Sequence, residues 1–271
     1  IYIMKKISVY LGIIFLLFCY SCASEDEDIL LPDSNYFPLA LDNSWTYENT
    51  STENSNTITG SENLSISEVN AQNPQRFSFT QTVTDFSGVF TTILSSGEVY
   101  KQNGEQTIIF DGEYSVFLND ELPSFTIPLS DVTLYDAALT QGDVLYTSLG
   151  EVEENINGFP VSLEYEITLA HDGFMENMTV NGQTYSDVYS SKISLNLSAS
   201  VFIVFSDFTI LQEQNASTIT NYYAKDIGLI KSDVSTDITF EDIPEQLNFE
   251  IPDVSIQSNQ NLINSSIDLN F

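Results

Sequence analysis

From Ile193 onward the odd positions Ile193, Leu195, Leu197, Ala199, Val201, Ile203 and Phe205 are apolar, while the even ones begin Ser194, Asn196, Ser198 and Ser200. A period of two sorts side chains onto opposite faces of a strand, and a helix of period 3.6 cannot separate them that way. Phe202 and Val204 fall on the second face, so the far end of this strand is expected to be covered on both sides. Val161, Leu163, Tyr165, Ile167 and Leu169 repeat the pattern against Ser162, Glu164, Glu166 and Thr168, and Phe77, Phe79 and Val83 repeat it more briefly. Weaker strand runs cover Trp45–Tyr47, Ile58–Val69, Val89–Leu94, Glu98–Lys101, Thr107–Phe110 and Ile238–Phe240.

The dipeptides Asn103-Gly104, Asn157-Gly158 and Asn181-Gly182, with Asp111-Gly112 and Asp172-Gly173, read as tight turns, because Asn, Asp and Gly tolerate the positive φ of two-residue hairpins. One helix is expected, two turns over Asp131–Leu139 with Ser130 or Asp131 as cap and Gly142 beyond its end. Short turns between neighbouring strands imply antiparallel pairing. No repeat of 20–50 residues is visible, which argues against a propeller or solenoid. The expected fold is all-β: a single curved antiparallel sheet forming a β-roll or partly open barrel with little helix.

The charge balance narrows function by exclusion. Seven Lys+Arg against 39 Asp+Glu leave a net charge of -32. Such a chain cannot neutralise phosphates, so no nucleic-acid partner is expected, and it has no basic patch for an anionic membrane. Hydrophobic residues at 42% supply a core, which rules out a disordered acidic tail. One His and two Cys leave little material for a zinc site or a disulfide framework.

The amino-terminal segment reads as an address. Met4 is taken as the start; Lys5 and Lys6 follow it, and from Ile7 to Tyr20 the chain is apolar except for Ser8. The stretch is short for a membrane span and has the charge–apolar–small layout of a signal peptide, residues 1–21. A small residue before a Cys, in Ser21-Cys22, resembles the lipobox of bacterial lipoproteins, and by that resemblance Cys22 carries the lipid. Several acyl chains on one Cys anchor a protein durably. Glu25, Asp26, Glu27 and Asp28 follow within a tether, residues 22–35, and resemble the surface-export tag of Bacteroidetes-type lipoproteins. The expected location is the outer membrane of a Gram-negative bacterium, lipid-anchored and surface-exposed. Residues 36–243 form the β domain, and residues 244–271 are either a tail or a closing strand, the latter suggested by Ile267, Leu269 and Phe271.

Tyr36-Phe37-Pro38-Leu39 precedes Asn43-Ser44-Trp45-Thr46-Tyr47, and Tyr222-Tyr223-Ala224-Lys225-Asp226-Ile227-Gly228-Leu229-Ile230-Lys231 comes late in the chain. The pair resembles a group of uncharacterised Bacteroidetes-type surface lipoproteins with YFPL…GNxWxY and YYAKGVGLIK motifs. Asp42 and Asp226 stand where that pattern carries Gly. The resemblance implies a curved antiparallel β-roll or partly open barrel, and it carries over no catalytic residue. Trp45 and Tyr47, two apart on a strand, share a face and suit a core; alternatively Trp45, Tyr222 and Tyr223 form an exposed platform for a ligand. Gly228 is expected to permit a turn or bulge beside them.

Catalytic material is thin. His171, placed at a strand end entering a turn, is a candidate base, but Asp172 beside it points to the opposite face. No G-x-S-x-G elbow or Gly-rich phosphate loop is present. Asp111 and Glu113, Asp120 and Glu121, and Glu151, Glu153 and Glu154 could contribute oxygens to calcium, yet none has EF-hand spacing. No catalytic residue, metal ligand or cofactor is assigned. The expectation is a non-enzymatic envelope protein in a binding or structural role, with a glycan, lipid or protein partner. The alternatives are a tethered carboxylate hydrolase acting on glycans and a periplasmic lipid carrier.

Overall fold

The computed structural model describes residues 35–104, 106–117, 124–156, 159–203, 206–242 and 251–269. The signal segment, Cys22, the acids Glu25, Asp26, Glu27 and Asp28, the pair Asp120 and Glu121, and Asn157-Gly158 lie outside them. Among the described residues no helix is long and apolar enough to cross a membrane.

Twelve antiparallel strands form one sheet: β1 (Ser44–Glu53), β2 (Asn56–Asn70), β3 (Arg76–Thr84), β4 (Glu98–Gln102), β5 (Thr107–Val116), β6 (Phe125–Asp136), β7 (Val144–Ile156), β8 (Phe159–Val180), β9 (Gln183–Ile203), β10 (Ser206–Ala224), β11 (Gly228–Ile238) and β12 (Val254–Ser266). Their order is β6-β5-β4-β3-β2-β1-β12-β11-β10-β9-β8-β7. The sheet curls almost into a barrel with one unsealed seam, which its end strands β6 and β7 flank. The expected all-β curved sheet is therefore what forms. The connection from β6 to β7 ties down one end of the seam: Ala137 N–H donates to the Gln106 carbonyl (2.9 Å), Gly142 N–H to His171 (2.8 Å), and His171 N–H to Asp143 (2.9 Å). Pro128 on β6 and Glu151, Glu153 and Glu154 on β7 blunt the two free edges against further pairing.

The closing strand is β12, which pairs with β1 on one side and β11 on the other. The strand lies at Val254–Ser266, so Ile267 and Leu269, whose alternation suggested a closing strand, fall beyond its end, and Phe271 lies outside the described residues. Asn103-Gly104 and Asn181-Gly182 are tight turns with positive φ throughout, joining β4 to β5 and β8 to β9. Asp111-Gly112 and Asp172-Gly173 are not turns. They are register shifts within β5 and β8, where an extra residue bends the strand.

Phe202, expected to be covered on the second face of its strand, is 49% exposed, and two assignments of secondary structure also fail. Asp131–Leu139 is not a helix, since residues up to Asp136 belong to β6, where Val132 and Thr133 pair with Phe110 and Ile109 of β5. Asp131 takes a positive φ of 53° and accepts the Tyr100 hydroxyl (2.6 Å), so the residue expected to start a helix absorbs a strand irregularity. Conversely, Val89–Leu94 is no strand but the single described helix, α1 (Val89–Ser95). Its buried Phe90, Thr91, Ile93 and Leu94 recur at helical spacing. In both places tertiary packing overrides a weak local preference.

A barrel of this strand number encloses more space than side chains of the sheet alone can fill. Helix α1 takes part of it, and the entering segment Asn35–Leu39 takes another part. Phe37 stacks on Trp45 (centroids 5.4 Å apart, 20° between planes), and the Tyr36 N–H reaches the Tyr135 hydroxyl at 3.2 Å. Asn43 knits the chain's beginning to its end, donating to Pro38 and accepting from the Asp268 N–H at 2.7 Å.

The two resemblance motifs meet here. Trp45 Nε1–H donates to the Ile227 carbonyl at 2.6 Å and the Tyr47 hydroxyl to Leu229 at 2.9 Å. Asp42 and Asp226, the two positions that depart from Gly, have φ of 69° and 60°, the left-handed conformation that Asp and Gly both accept. Gly228 has φ +102°, and a Cβ there would lie 2.9 Å from Trp45 Nε1. Gly228→Val should therefore lower stability by about 2 kcal/mol or more through strain and displacement of the indole. Chemical denaturation followed by tryptophan fluorescence, which reports the sole Trp, measures this; an unchanged midpoint would show that the contact is slack.

Candidate functional site

The inward face of one strand shows how the interior is layered. Along β1, Trp45, Tyr47 and Asn49 are fully buried and Ser51 partly so. The aromatic end is closed. Trp45, Phe37, Tyr36, Tyr135, Tyr189, Tyr223 and Phe90 form a connected ring cluster there. Of the three residues considered for a ligand platform, Trp45 and Tyr223 are 0% and 1% exposed, inside this cluster, so core packing describes them. Tyr222 points to the other face of β10, half-buried, with the Lys231 ammonium 5.6 Å from its ring. The three share no exposed surface. Burial pushes the hydroxyls of Tyr189 and Tyr223 well above the ordinary tyrosine range, so both remain protonated donors.

His171 sits in mid-strand on β8, 1% exposed and stacked on Tyr189, rather than at a strand end. Its Nδ1 lies 3.1 Å from the Leu139 carbonyl; a carbonyl only accepts, so Nδ1 carries the proton. Asp172 faces away and pairs with Lys192 at 2.9 Å. Asp111 is engaged by Arg76 at 2.5 Å. Among the described residues no group of three or more His, Cys, Asp or Glu is arranged to hold a metal ion.

Below the aromatic end lies a buried polar layer. Cross-strand register places His171, Ser191, Asn221, Ser232, Gln260 and Asn49 directly opposite one another on β8, β9, β10, β11, β12 and β1. All six are 2% exposed or less. They form a continuous girdle at one height across half the sheet. Its hydrogen bonding is incomplete: Ser232 Oγ–H donates to Asn221 Oδ1 at 2.8 Å and the Tyr223 hydroxyl engages Ser191 and Asn221, while His171 Nε2, Gln260 Oε1 and Asn49 Oδ1 have no partner. Leaving a buried polar atom unmatched costs roughly 1–3 kcal/mol, so three in one row is a costly arrangement for a core to keep.

Beside the girdle, Glu62 of β2 anchors α1. The carboxylate is 3% exposed and accepts from the Gly88 N–H (3.0 Å), Gln81 Nε2 (2.7 Å), Thr91 Oγ (2.5 Å) and Gln260 Nε2. Gly88 is required for this approach, because a Cβ there would meet the Gln260 amide at 2.5 Å. No cation faces Glu62 in this set. Desolvation pushes its pKa above the ordinary value, against the lowering effect of its hydrogen bonds. Sequence reasoning passed over Glu62, although it occupies the inward parity of Gly60, Leu64 and Ile66.

The opposite end of the barrel opens. Three adjoining clefts of about 180, 210 and 220 Å³ surround Val89 at the start of α1. Leu195, Leu197, Ala216, Val234, Ile238 and Ile256 supply apolar walls, and hydroxyls of Ser115, Ser217, Thr236 and Ser258 edge them. Glu113 is the single charged residue lining the three. The floor of the 220 Å³ cleft is Asn49, Ser232 and Gln260, so the mouth leads to the girdle.

No protein-family model matches the chain, and no curated protein matches it. Two solved structures from Bacteroidetes are loosely similar. One, from Bacteroides fragilis, is described as an exported protein with a YmcC-like fold (TM-score 0.43, 8% identity), and the other, from Parabacteroides distasonis, as a lipoprotein (TM-score 0.35, 12% identity). In each case 86% of this chain and 99% of the other are covered. Likeness at this level carries no argument about activity.

The Glu62 geometry sets a pH dependence. Above pH 4.5, the ordinary value, the unfolded chain releases this proton while the folded chain still holds it. The contribution of Glu62 to stability is therefore fullest below pH 4.5 and falls as pH rises toward the raised value. Subtracting the unfolding profile of Glu62→Gln from that of the wild type should leave a downward slope in this window; a flat difference would show that Glu62 titrates normally.

Proposed function

We propose that this chain is a lipid-anchored protein of the bacterial outer membrane, displayed at the surface, whose β-barrel binds an apolar ligand without transforming it. The supporting observation is the asymmetry of the barrel. An aromatic cluster closes one end, and the other opens on apolar, hydroxyl-edged clefts, the form that small-molecule sites take at barrel mouths. The chain enters at the closed end, where the Asn35 carbonyl accepts from the Asp226 N–H at 2.7 Å.

The carboxylate-hydrolase alternative needs two acids facing across a cleft. The mouth offers Glu113 alone, and a separate cleft of about 160 Å³ carries Glu164, Glu166 and Glu213, of which Glu164 and Glu166 sit side by side on β8 and accept from Ser198 and Asn196. The greasy interior that a lipid carrier requires is present in the mouth clefts, so the binding reading and the carrier reading share one site and differ in whether the anchored protein hands its ligand on.

A neutral fluorescent acyl probe should bind saturably to the purified domain. Val89→Trp, which fills the junction of the three clefts, should weaken it about tenfold or more, equivalent to ~1.4 kcal/mol, with the fold retained by circular dichroism. Equal binding by the variant would place the probe elsewhere. Separately, Cys22→Ala should release the protein from the membrane fraction, and replacing Glu25, Asp26, Glu27 and Asp28 by Ala should reduce its protease accessibility on whole cells. Retention in the first case or unchanged accessibility in the second would refute the anchor or the tag.

A further inference from the structure

Three girdle residues, Asn49, Ser232 and Gln260, line the cleft whose other walls are largely apolar. Packed cores satisfy their polar atoms, and two unmatched carbonyl oxygens at this cleft, Asn49 Oδ1 and Gln260 Oε1, make it polar enough to receive a polar group from outside the chain. Its chemistry is specific. Asn49 Oδ1 and Gln260 Oε1 are acceptors, and the Ser232 hydroxyl stands beside Gln260 in register. A partner must therefore offer donors at close spacing, as a set of neighbouring hydroxyls does.

Charge excludes the common anionic headgroups. No Lys or Arg lines the clefts. Glu62 is bonded to Gln260 and Glu113 lines the mouth, and both would repel a carboxylate or phosphate in a poorly solvated site. A cationic head would meet a carboxylate already saturated by four donors.

Length fits a single chain. From Ser232 to Ile238 the inward residues of β11 are Ser232, Val234, Thr236 and Ile238, a path of roughly 20 Å at ~3.3 Å per residue. One acyl chain spans about half of the ~30 Å hydrocarbon core of a bilayer, which this path accommodates.

We propose that the lumen binds a neutral single-chain amphiphile with a polyol head, the hydroxyls seated on Asn49, Ser232 and Gln260 and the acyl chain lying along the apolar mouth past Val89. This deepens the mouth-binding reading and rests on it. The head enters first and replaces water hydrogen bonds with those of the girdle, while the chain covers the apolar walls.

Calorimetric titration of the purified domain with three twelve-carbon ligands tests this: 1-monolauroylglycerol, methyl laurate and laurate, each below its aggregation concentration. Monolauroylglycerol should bind about tenfold or more tighter than either of the others, the worth of one or two net hydrogen bonds. Ser232→Ala and Asn49→Leu should each weaken monolauroylglycerol about fivefold while leaving methyl laurate unchanged, one hydrogen bond of ~1 kcal/mol being lost. Ser232→Ala removes a single oxygen and keeps the test valid if Asn49→Leu fails to fold. Equal affinity for monolauroylglycerol and methyl laurate would overturn the girdle assignment and leave the apolar mouth standing. Preference for laurate would overturn it through the charge argument. If no ligand binds and the neutral acyl probe also fails, the mouth reading falls with it.

Discussion

The whole architecture depends on where the last strand inserts. Six strands run consecutively from β6 back to β1, and five from β11 to β7, and neither run is continuous with the other except through β12. Hydrogen bonds from β12 to both β1 and β11 merge two meanders into one curled sheet. This is a pairing of high sequence separation, in which loop closure must be met before the contact stabilises anything. The clasp from Trp45 and Tyr47 to the carbonyls of Ile227 and Leu229 reaches over β12 from the same two neighbours and holds the joint on its inner side.

Once the sheet curls, its interior has to be filled, and the filling is uneven. Large aromatic side chains and the entering segment occupy one end at core density. Helix α1, held by Glu62 and by the absence of a side chain at Gly88, occupies the middle. The far end receives mainly aliphatic and hydroxyl side chains around Val89 and stays open. A barrel of this strand number leaves such volume unless a dedicated element plugs it, and here the plug extends through only part of the lumen.

Alternation along β8, β9 and β2 is legible in the sequence because a half-buried strand must segregate its side chains by parity. The same rule marked Trp45 and Tyr47 of β1 and Phe77 and Phe79 of β3, while Val83, third in the β3 series, is exposed where the strand runs past the core. It failed at Val89–Leu94, whose six residues carry too few periods to tell strand from helix, and at Asp131–Leu139, where the pairing with β5 outweighs a cap-like Ser130-Asp131. The two Asp-Gly pairs misread as turns show a further limit: the same positive-φ residues serve a bulge inside a long strand as readily as a hairpin. His171 was misplaced for that reason, since a turn assigned to Asp172-Gly173 ended its strand too early.

By itself the sequence determined the class of fold and the two faces of its strands, because both follow from a local period of two and from turn chemistry. Polar residues at inward parity, Asn49, Glu62 and Asn221 among them, passed unremarked in the sequence, because each looks isolated in its own strand. Only the tertiary structure decided that they belong together. Parity says which way a side chain points, whereas height around a barrel depends on the register of every intervening pair and on each bulge that shifts it. Six residues drawn from positions 49 to 260 reach one level because β12 enters between β1 and β11 with Gln260 opposite both Asn49 and Ser232, and that alignment turns scattered core polarity into a girdle beneath an open mouth.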